Sequence, residues 1–470
     1  MRLNRAVAAS LLLLLLAGLL CGCAIPWPIQ TGPEPTAEPT PEPTPYRGEE
    51  TMDLSEKSFS ELQSELPELH DLRYAVLAPD SLTPEELRQL EELRPDVSFE
   101  YRFHVYGAEY GMDLSTLDLT AAGNETLELW FRWAGCMQGL RRIELGEGEA
   151  SDGRIPWAAL AALRAQRPDL SVDYSFTLYD KSFTLDSEEM NLNHIAMDDQ
   201  GALIKAVALC MPNLSFLDMD TCEVDDEHMA EIRDALPRTE VVWRIWFGEH
   251  SYATAGYSVR TNVERILASN PGIGGDLTPE NTRSLKYCTK VKYLDLGHNP
   301  LMRDIDFVRY MPDLEAVVLA MGSWFDASPL ENCPKLRYAE LQTTALADVR
   351  PLTKLKNLTD LNICYCFALH DISPLYEMTQ LKRLWIGCMT PVPAEQVARM
   401  RVLNPTCEID TEVIDPTTGT WRFLGYDEYG IGHYSEAYAW LREVMHYAEA
   451  PDSYSYFYND PLYYGQYQWW

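Results

Sequence analysis

Basic residues are scarce in this sequence. Its 470 residues carry 38 Lys and Arg against 72 Asp and Glu, a formal charge of −34. A phosphate backbone needs cations to displace its counterions, so this balance excludes nucleic acid as a partner. It equally excludes adsorption to an anionic membrane surface. A basic partner, divalent cations or plain solubility each fit the excess acid. Catalytic patterns are also missing. The nine histidines form no H-E-x-x-H pair, and there is no G-x-S-x-G elbow, no phosphate loop and no G-x-G-x-x-G after a strand. The chain therefore reads as no enzyme, with no cofactor and no resident metal. The acidic run from Asp218 to Met229 fails as an EF-hand, with Glu223 for the glycine and Met229 for the bidentate glutamate. It reads as a solvated loop.

Long apolar runs are limited to one, Ala6 to Leu20, preceded by Arg2 and Arg5. That run has the length of a signal-peptide core and is short for a permanent span. It closes on Leu20-Cys21-Gly22-Cys23, which resembles the bacterial lipobox. The resemblance implies that residues 1–22 are removed and that Cys23 carries a lipid. Cys21 is the alternative acceptor, but the residues before it lack the small residue. An ordinary secretory signal is the other reading. Residues 23–50 then form a spacer, since proline recurs every second or third residue from Thr31 to Pro45 and favours extended polyproline II. The expected location is the outer face of a bacterial membrane, with the lipid as membrane contact.

Internal repetition organises most of the remainder. Segments starting at Val291, Leu314, Leu336, Leu358 and Leu381 align with spacings of 23, 22, 22 and 23 residues. Each fits L-x-x-L-x-L-x-x-N loosely. Between them recurs Asp-x-x-Pro-Leu, at Asp326–Leu330, Asp348–Leu352 and Asp371–Leu375. The pattern resembles the short repeats of internalin-type leucine-rich-repeat proteins. That resemblance implies an α/β solenoid with a curved parallel sheet, assigned to residues 256–415. Positions 1, 4 and 6 of each copy would point inward, and copies must stack because one alone cannot bury its apolar edge. The ninth position departs from the family. Only Asn299 is the expected asparagine, while Gly322, Thr344, Cys366 and Met389 stand elsewhere, which puts strict ladder geometry in doubt.

Residues 51–255 repeat with a longer period. The same start recurs at Leu72, Leu140 and Leu214, 68 and 74 residues apart. Each is followed by a helix-like segment beginning near Thr83, Ile155 and Asp226 and stopped by Pro95, Pro168 and Pro237. An alternating strand follows, then a turn expected at Tyr106-Gly107, Tyr179-Asp180 and Phe247-Gly248. These modules read as leucine-rich repeats enlarged by a helix and a hairpin.

Eleven cysteines include Cys21 and Cys23, leaving nine in the rest of the chain. Cys288 and Cys333 fall in an apolar slot shared with Met137, Met211, Met311, Leu355 and Met378, as small core residues would. Cys222 and Cys366 take the inward ninth position, and Cys364 and Cys388 face outward. A zinc site from Cys364, Cys366, Cys388 and His370 is the weaker alternative to structural cysteine. Residues 416–470 form an aromatic-rich tail. Its Tyr and Trp could stack on cell-wall polysaccharide. The favoured reading is a cap over the last coil, because Tyr438, Leu441 and Met445 recur at helical spacing.

The third and fifth strand positions face outward on the concave side. They form two columns, Tyr293, Ala316, Tyr338, Asp360, Arg383 and Asp295, Val318, Glu340, Asn362, Trp385. Stacked strands lie about 4.8 Å apart, so five copies span roughly 20 Å. Aromatic anchors among polar neighbours suit a binding patch. The expected function is protein or peptide binding at the cell surface. Polysaccharide binding by the tail, or a purely structural role, are the alternatives.

Overall fold

The computed structural model describes residues 50–105, 107–250, 255–269, 276–387, 390–411, 421–426 and 432–447. The signal segment, Cys21, Cys23, the proline spacer, Cys388, Met389 and the tail from Asp452 lie outside them.

The short repeats form a right-through parallel sheet. Its seven strands are Arg265–Leu267, Tyr293–Asp295, Ala316–Val318, Tyr338–Glu340, Asp360–Asn362, Arg383–Trp385 and Glu408–Asp410, in sequence order. Each strand is three residues long, so its middle residue turns inward and the two flanking ones turn outward. Leu294, Val317, Ala339, Leu361 and Leu384 fill the interior together with the leucines of positions 1 and 6. The return side is a row of short 3-10 turns that stack coil on coil. The Asp-x-x-Pro-Leu signature builds these turns. Asp326, Asp348 and Asp371 accept from the backbone N–H two residues on, proline takes the first turn, and Leu330, Leu352 and Leu375 are buried. Cys288, Met311, Cys333, Leu355 and Met378 all lie buried in one apolar row.

The ladder at the ninth position survives without asparagine. Asn299 donates to the carbonyls of Ala268, Leu296 and Gly297. Thr344 Oγ1 donates to Leu341 O at 2.9 Å, and Cys366 Sγ donates to the same carbonyl at 3.5 Å. Cys222 Sγ serves Leu192 O in the earlier coils. Where Gly322 stands, the Trp324 indole folds back and its Nε1 donates to Leu319 O at 3.0 Å. A Cβ on Gly322 would meet Trp324 Cδ1 at 2.6 Å, so the glycine makes room for the ring. Thr390 does the same for Ile363 O in the last short coil. The requirement is a buried donor, which several side chains can supply. The eighth position is left-handed at each described copy, His298, Met321, Thr343 and Tyr365. This turns each N–H toward the next coil, as His298 N donates to Ala320 O and Met321 N to Gln342 O.

Each long module contains three coils, one more than the periodicity suggests. The first has strands Thr51–Asp53, Tyr74–Val76 and Ser98–Glu100, with helices Phe59–Glu65 and Pro84–Leu93 between them. Strands at Thr116–Asp118, Arg142–Glu149 and Ser171–Leu178 make the second, and Glu189–Asn191, Phe216–Asp218 and Glu240–Val242 the third. Hairpins close the modules at Arg102–Gly111, Ser175–Thr184 and Arg244–Arg260. Helix Pro84–Leu93 starts on a capping box, with Thr83 Oγ1 accepting from Glu86 N and Glu86 accepting from Thr83 N. At Tyr179-Asp180 both residues have positive φ, as a two-residue hairpin turn requires. The expected turn at Phe247-Gly248 is instead a bulge inside a longer hairpin, whose pairing continues to His250 and Ala255. The run from Asp218 is not a solvated loop. Asp218 and Asp220 are buried and paired to Arg260 at 2.7 Å and Arg244 at 2.9 Å.

Removing the indole donor tests the ladder. Trp324→Phe keeps the ring but orphans Leu319 O, and should cost roughly 1–3 kcal/mol, read as a lowered urea midpoint. Gly322→Ala, which pushes against the same ring, should also lower it. An unchanged midpoint in both would mean that the carbonyl needs no partner.

Candidate recognition surface

Register places the two outward columns where the repeat alignment puts them. Tyr293, Ala316, Tyr338, Asp360 and Arg383 are successive partners, as are Asp295, Val318, Glu340, Asn362 and Trp385. Arg265 and Leu267 extend the columns at one end, and Glu408 and Asp410 at the other. The alignment begins at Val291 and ends at Met389, so it leaves these flanking members out.

The columns are not open to solvent, which corrects the expectation of an exposed patch. Asp295, Val318, Tyr338, Glu340, Asp360, Asn362 and Trp385 are all buried, and Tyr293 and Arg383 are half-buried. The cover is the chain's own C-terminal segment, Trp421 to Tyr447. It comprises a short hairpin, Phe423–Tyr426 with Gly432–Tyr434, and helix Glu436–Val444. Ser435 caps the helix by accepting from Tyr438 N at 3.2 Å. Tyr438, Leu441 and Met445 form its apolar face, as their spacing implies. That face sits on Leu267, Ala316, Val318, Tyr338, Cys364 and Trp385, within one cluster. The segment therefore covers the concave face of the sheet instead of the open edge of the last coil.

Polar contacts fix its position. Arg422 donates to Glu340 through Nε at 2.9 Å and Nη2 at 2.5 Å, a two-pronged pairing on a carboxylate with 0% exposure. Tyr338 also donates to Glu340, and Trp421 Nε1 reaches the Tyr338 hydroxyl at 2.7 Å. Arg383 donates to Trp421 O at 2.9 Å, and its guanidinium stacks 4.3 Å from that ring. Arg337 lies 3.7 Å from the Trp440 ring centre. At the other end Tyr447 donates to Asp295, and Arg265 donates to Val444 O at 2.8 Å. The segment thus runs backwards across the sheet, from the Arg383 strand to the Arg265 strand.

The two buried carboxylates respond oppositely. Burial opposes ionisation of Glu340, but the Arg422 charge and the hydrogen bonds to Arg422, Tyr338 and Gln342 outweigh it and hold the pKa below the usual range. Burial dominates at Asp295, where the Tyr447 and Gly297 hydrogen bonds do not compensate, and its pKa is raised. Burial also raises Asp360.

Among the described residues the zinc alternative is not assembled, and Cys388 lies outside them. Cys366 lies in the coil interior and Cys364 on the concave side. Their side chains therefore point apart, and His370 is exposed. Among the described residues no group of three or more His, Cys, Asp or Glu could hold a metal ion.

Sequence reasoning missed Trp421, Arg422, Trp440 and Tyr447 as partners of the columns. The only signal for them was the helical spacing of Tyr438, Leu441 and Met445, which says that a face is buried but not where.

Docking of this segment should depend on pH in two directions. Glu340 has a lowered folded pKa, so its contribution is present above its unfolded value and lost as pH falls through the folded one. Asp295 has a raised folded pKa, so its contribution is greatest at low pH and lost as pH rises through the folded value. Hydrogen exchange of residues 436–444 against pH should show acid loosening that Glu340→Gln abolishes. Asp295→Asn should tighten docking at neutral pH. Unaltered pH profiles in both variants would sink this account.

No family model matches this chain, and no curated protein matches it. Among solved structures it is similar to an internalin (inlF) from Listeria monocytogenes, at 16% identity over 76% of this chain and 85% of that one, with a TM-score of 0.27. A leucine-rich-repeat protein from Leptospira interrogans aligns at 15% identity over 76% of this chain and 95% of its own, with a TM-score of 0.27. An internalin C2 from Listeria monocytogenes aligns at 13% identity over 65% of this chain and 84% of its own, with a TM-score of 0.21.

Proposed function

We propose that this chain is a lipid-anchored protein of the bacterial cell surface that recognises a protein or peptide with the concave face of its short repeats. One observation carries the reading: that face already grips a polypeptide, the chain's own C-terminal segment. It does so with the means of a recognition surface. Tyr338 and Trp385 pack against the Trp421 ring, with centroids 5.8 and 6.0 Å away. Glu340 takes an arginine in two-pronged geometry. Aromatic anchors near the centre of a patch carry most of the affinity of a protein contact, and charged pairs fix register. The work of this surface is binding, with no catalytic step assigned to it.

Cys23 supplies the anchor in this reading, and the proline-rich stretch holds the coil off the membrane. Cys23→Ser should move the chain from the membrane fraction to the medium. Retention of the variant in the membrane fraction would remove the lipid from the proposal.

The binding surface is tested on intact cells by crosslinking and mass spectrometry. Crosslinks from a surface partner should map to residues flanking the two columns. They should disappear when Tyr293, Tyr338 and Trp385 are all replaced by Ala in a chain that still melts cooperatively. Crosslinks that map to the row of 3-10 turns, or that survive the triple replacement, would move recognition elsewhere.

A further inference from the structure

We propose that the segment Trp421–Tyr447 is a displaceable strap, standing in for the docking segment of a protein partner. That partner brings an arginine for Glu340 and a hydrogen-bond acceptor for Trp385 and Arg383. The inference rests on the reading of the concave face as a recognition surface and adds what the partner presents and how the surface is regulated.

The chemistry beneath the strap differs from that of a permanent core. The inward columns of the same strands hold only Leu, Ile, Val and Ala. The outward columns hold Asp295, Glu340, Asp360, Asn362 and Arg383. For permanent burial, apolar residues serve as well or better, because each buried charge loses its hydration. Acidic and amide groups suit a face that must also meet water. Glu340 also accepts from Tyr338 and Gln342 of its own coil, so part of its setting is independent of the arginine.

The strap also fits imperfectly. Among the described residues, Trp385 Nε1, Arg383 Nη1 and Gln342 Oε1 are buried without a hydrogen-bond partner. Most buried polar groups in native proteins are satisfied, and since unmet atoms also occur away from the strap, as at Asn299 Oδ1 and Asn404 Oδ1, what distinguishes these is their place beneath it. Trp385 and Arg383 stand two apart on one strand and so present their unmet donors on one face. A carboxylate or carbonyl there would complete what the strap leaves open.

Finally, the strap cannot hold itself together. Helix Glu436–Val444 has nine residues, below the length at which an isolated helix persists in water. Its order therefore comes from the sheet, and undocking would unfold it. It is joined to the last strand, Glu408–Asp410, through residues 411–420.

The test uses the whole chain with a specific protease site placed within residues 412–420. The probe is a fluorescent synthetic peptide of residues 421–447. After cutting, the native strap should leave and the probe should take its place, read by anisotropy and size-exclusion chromatography. In the uncut chain a tethered strap competes at roughly millimolar effective concentration, so probe binding should be weaker by about 100-fold or more. Arg422→Ala in the probe, or Glu340→Gln in the chain, should weaken binding about 10-fold or more, the worth of a hydrogen-bonded charge. In a panel of probes with glutamate at each position from 423 to 434 in turn, at least one should bind more tightly than the native peptide, and Trp385→Phe should erase that gain.

A cut strap that never exchanges, or an uncut chain that takes up the probe as readily as the cut one, overturns the displaceable strap. No tighter member in the panel overturns the acceptor. Native-state hydrogen exchange on the uncut chain gives an independent arm. Amides of 436–447 should exchange through an opening that leaves Tyr338 and Ala339 protected, and joint exchange of both also overturns the proposal. Exchange of the strap without cell-surface crosslinks to the columns would instead leave the strap intact and remove the recognition reading.

Discussion

Three residues per coil take part in the parallel sheet of the short repeats, and this limit governs what the surface can be. With one side chain inward and two outward, each coil contributes one core residue and two surface residues from the same strand. Inward positions answer to packing, since a coil closes only over Leu294, Val317 and their like. Outward positions answer to whatever lies across the face. Glu340, Asn362 and Trp385, which packing does not select, fall in one row on successive strands because their coils stack. The stacking itself depends on closing each turn with a donor to the sixth carbonyl. That the donor can be an amide, a hydroxyl, a thiol or an indole shows that the constraint is a satisfied carbonyl, not a residue type.

Covering the two columns replaces water with a segment that is rich in aromatics and places one arginine, Arg422, on the buried acid. Trp421, Tyr438 and Leu441 supply area, and area favours docking wherever they land. Register comes from the Arg422–Glu340 pair and the Tyr447–Asp295 contact, which sit at opposite ends of the segment. A buried ion pair adds little net stability against an apolar equivalent, but breaking it leaves a bare charge, so it penalises every other register. The opposite pKa shifts at Glu340 and Asp295 express this division. One carboxylate is matched by a cation and the other only by a hydroxyl and a backbone N–H.

The coil and its outward columns were legible in sequence because their periods are short and their core positions strictly apolar. The Asp-x-x-Pro-Leu turns were equally plain, since aspartate, proline and leucine each do one job at a fixed offset. The first helix of each long module was missed. Ala202–Ala208 is too short to show a period, whereas Asn124–Ala134 does carry one, with Glu125, Glu128 and Arg132 exposed opposite buried Leu127, Trp130 and Phe131, and went unread. The bulge at Phe247 reads as a turn because its glycine has the positive φ that a turn would also use. What covers the columns was not legible at all. Arg422 and Glu340 are 82 residues apart, and no local pattern links a dipeptide in an aromatic tail to one strand among seven. The helical spacing from Tyr438 to Met445 gave the buried face, while its destination depended on tertiary complementarity.

The strap is not alone among the described residues in placing arginine over a buried acid of the same chain. In the third long module, Arg244 and Arg260 of a hairpin cover Asp220 and Asp218, beside the strand Phe216–Asp218. The common cause lies in the fifth strand position. Across the described parallel strands it is acidic at Asp53, Glu100, Asp118, Glu144, Asp173, Asp218, Asp295, Glu340 and Asp410, and basic at none. A column of one sign repels itself along the sheet and attracts cations across it. At Asp218 and Glu340, where that column is buried, an arginine arrives with the cover, at buried Asp295 the cover brings the Tyr447 hydroxyl instead, and at Asp53 and Asp118, where no such cover lies, the acid stays in water. The excess of acid over base in the chain as a whole thus has a local counterpart on the concave side. Any polypeptide that displaces the strap from Glu340 faces the same requirement that the strap meets with Arg422.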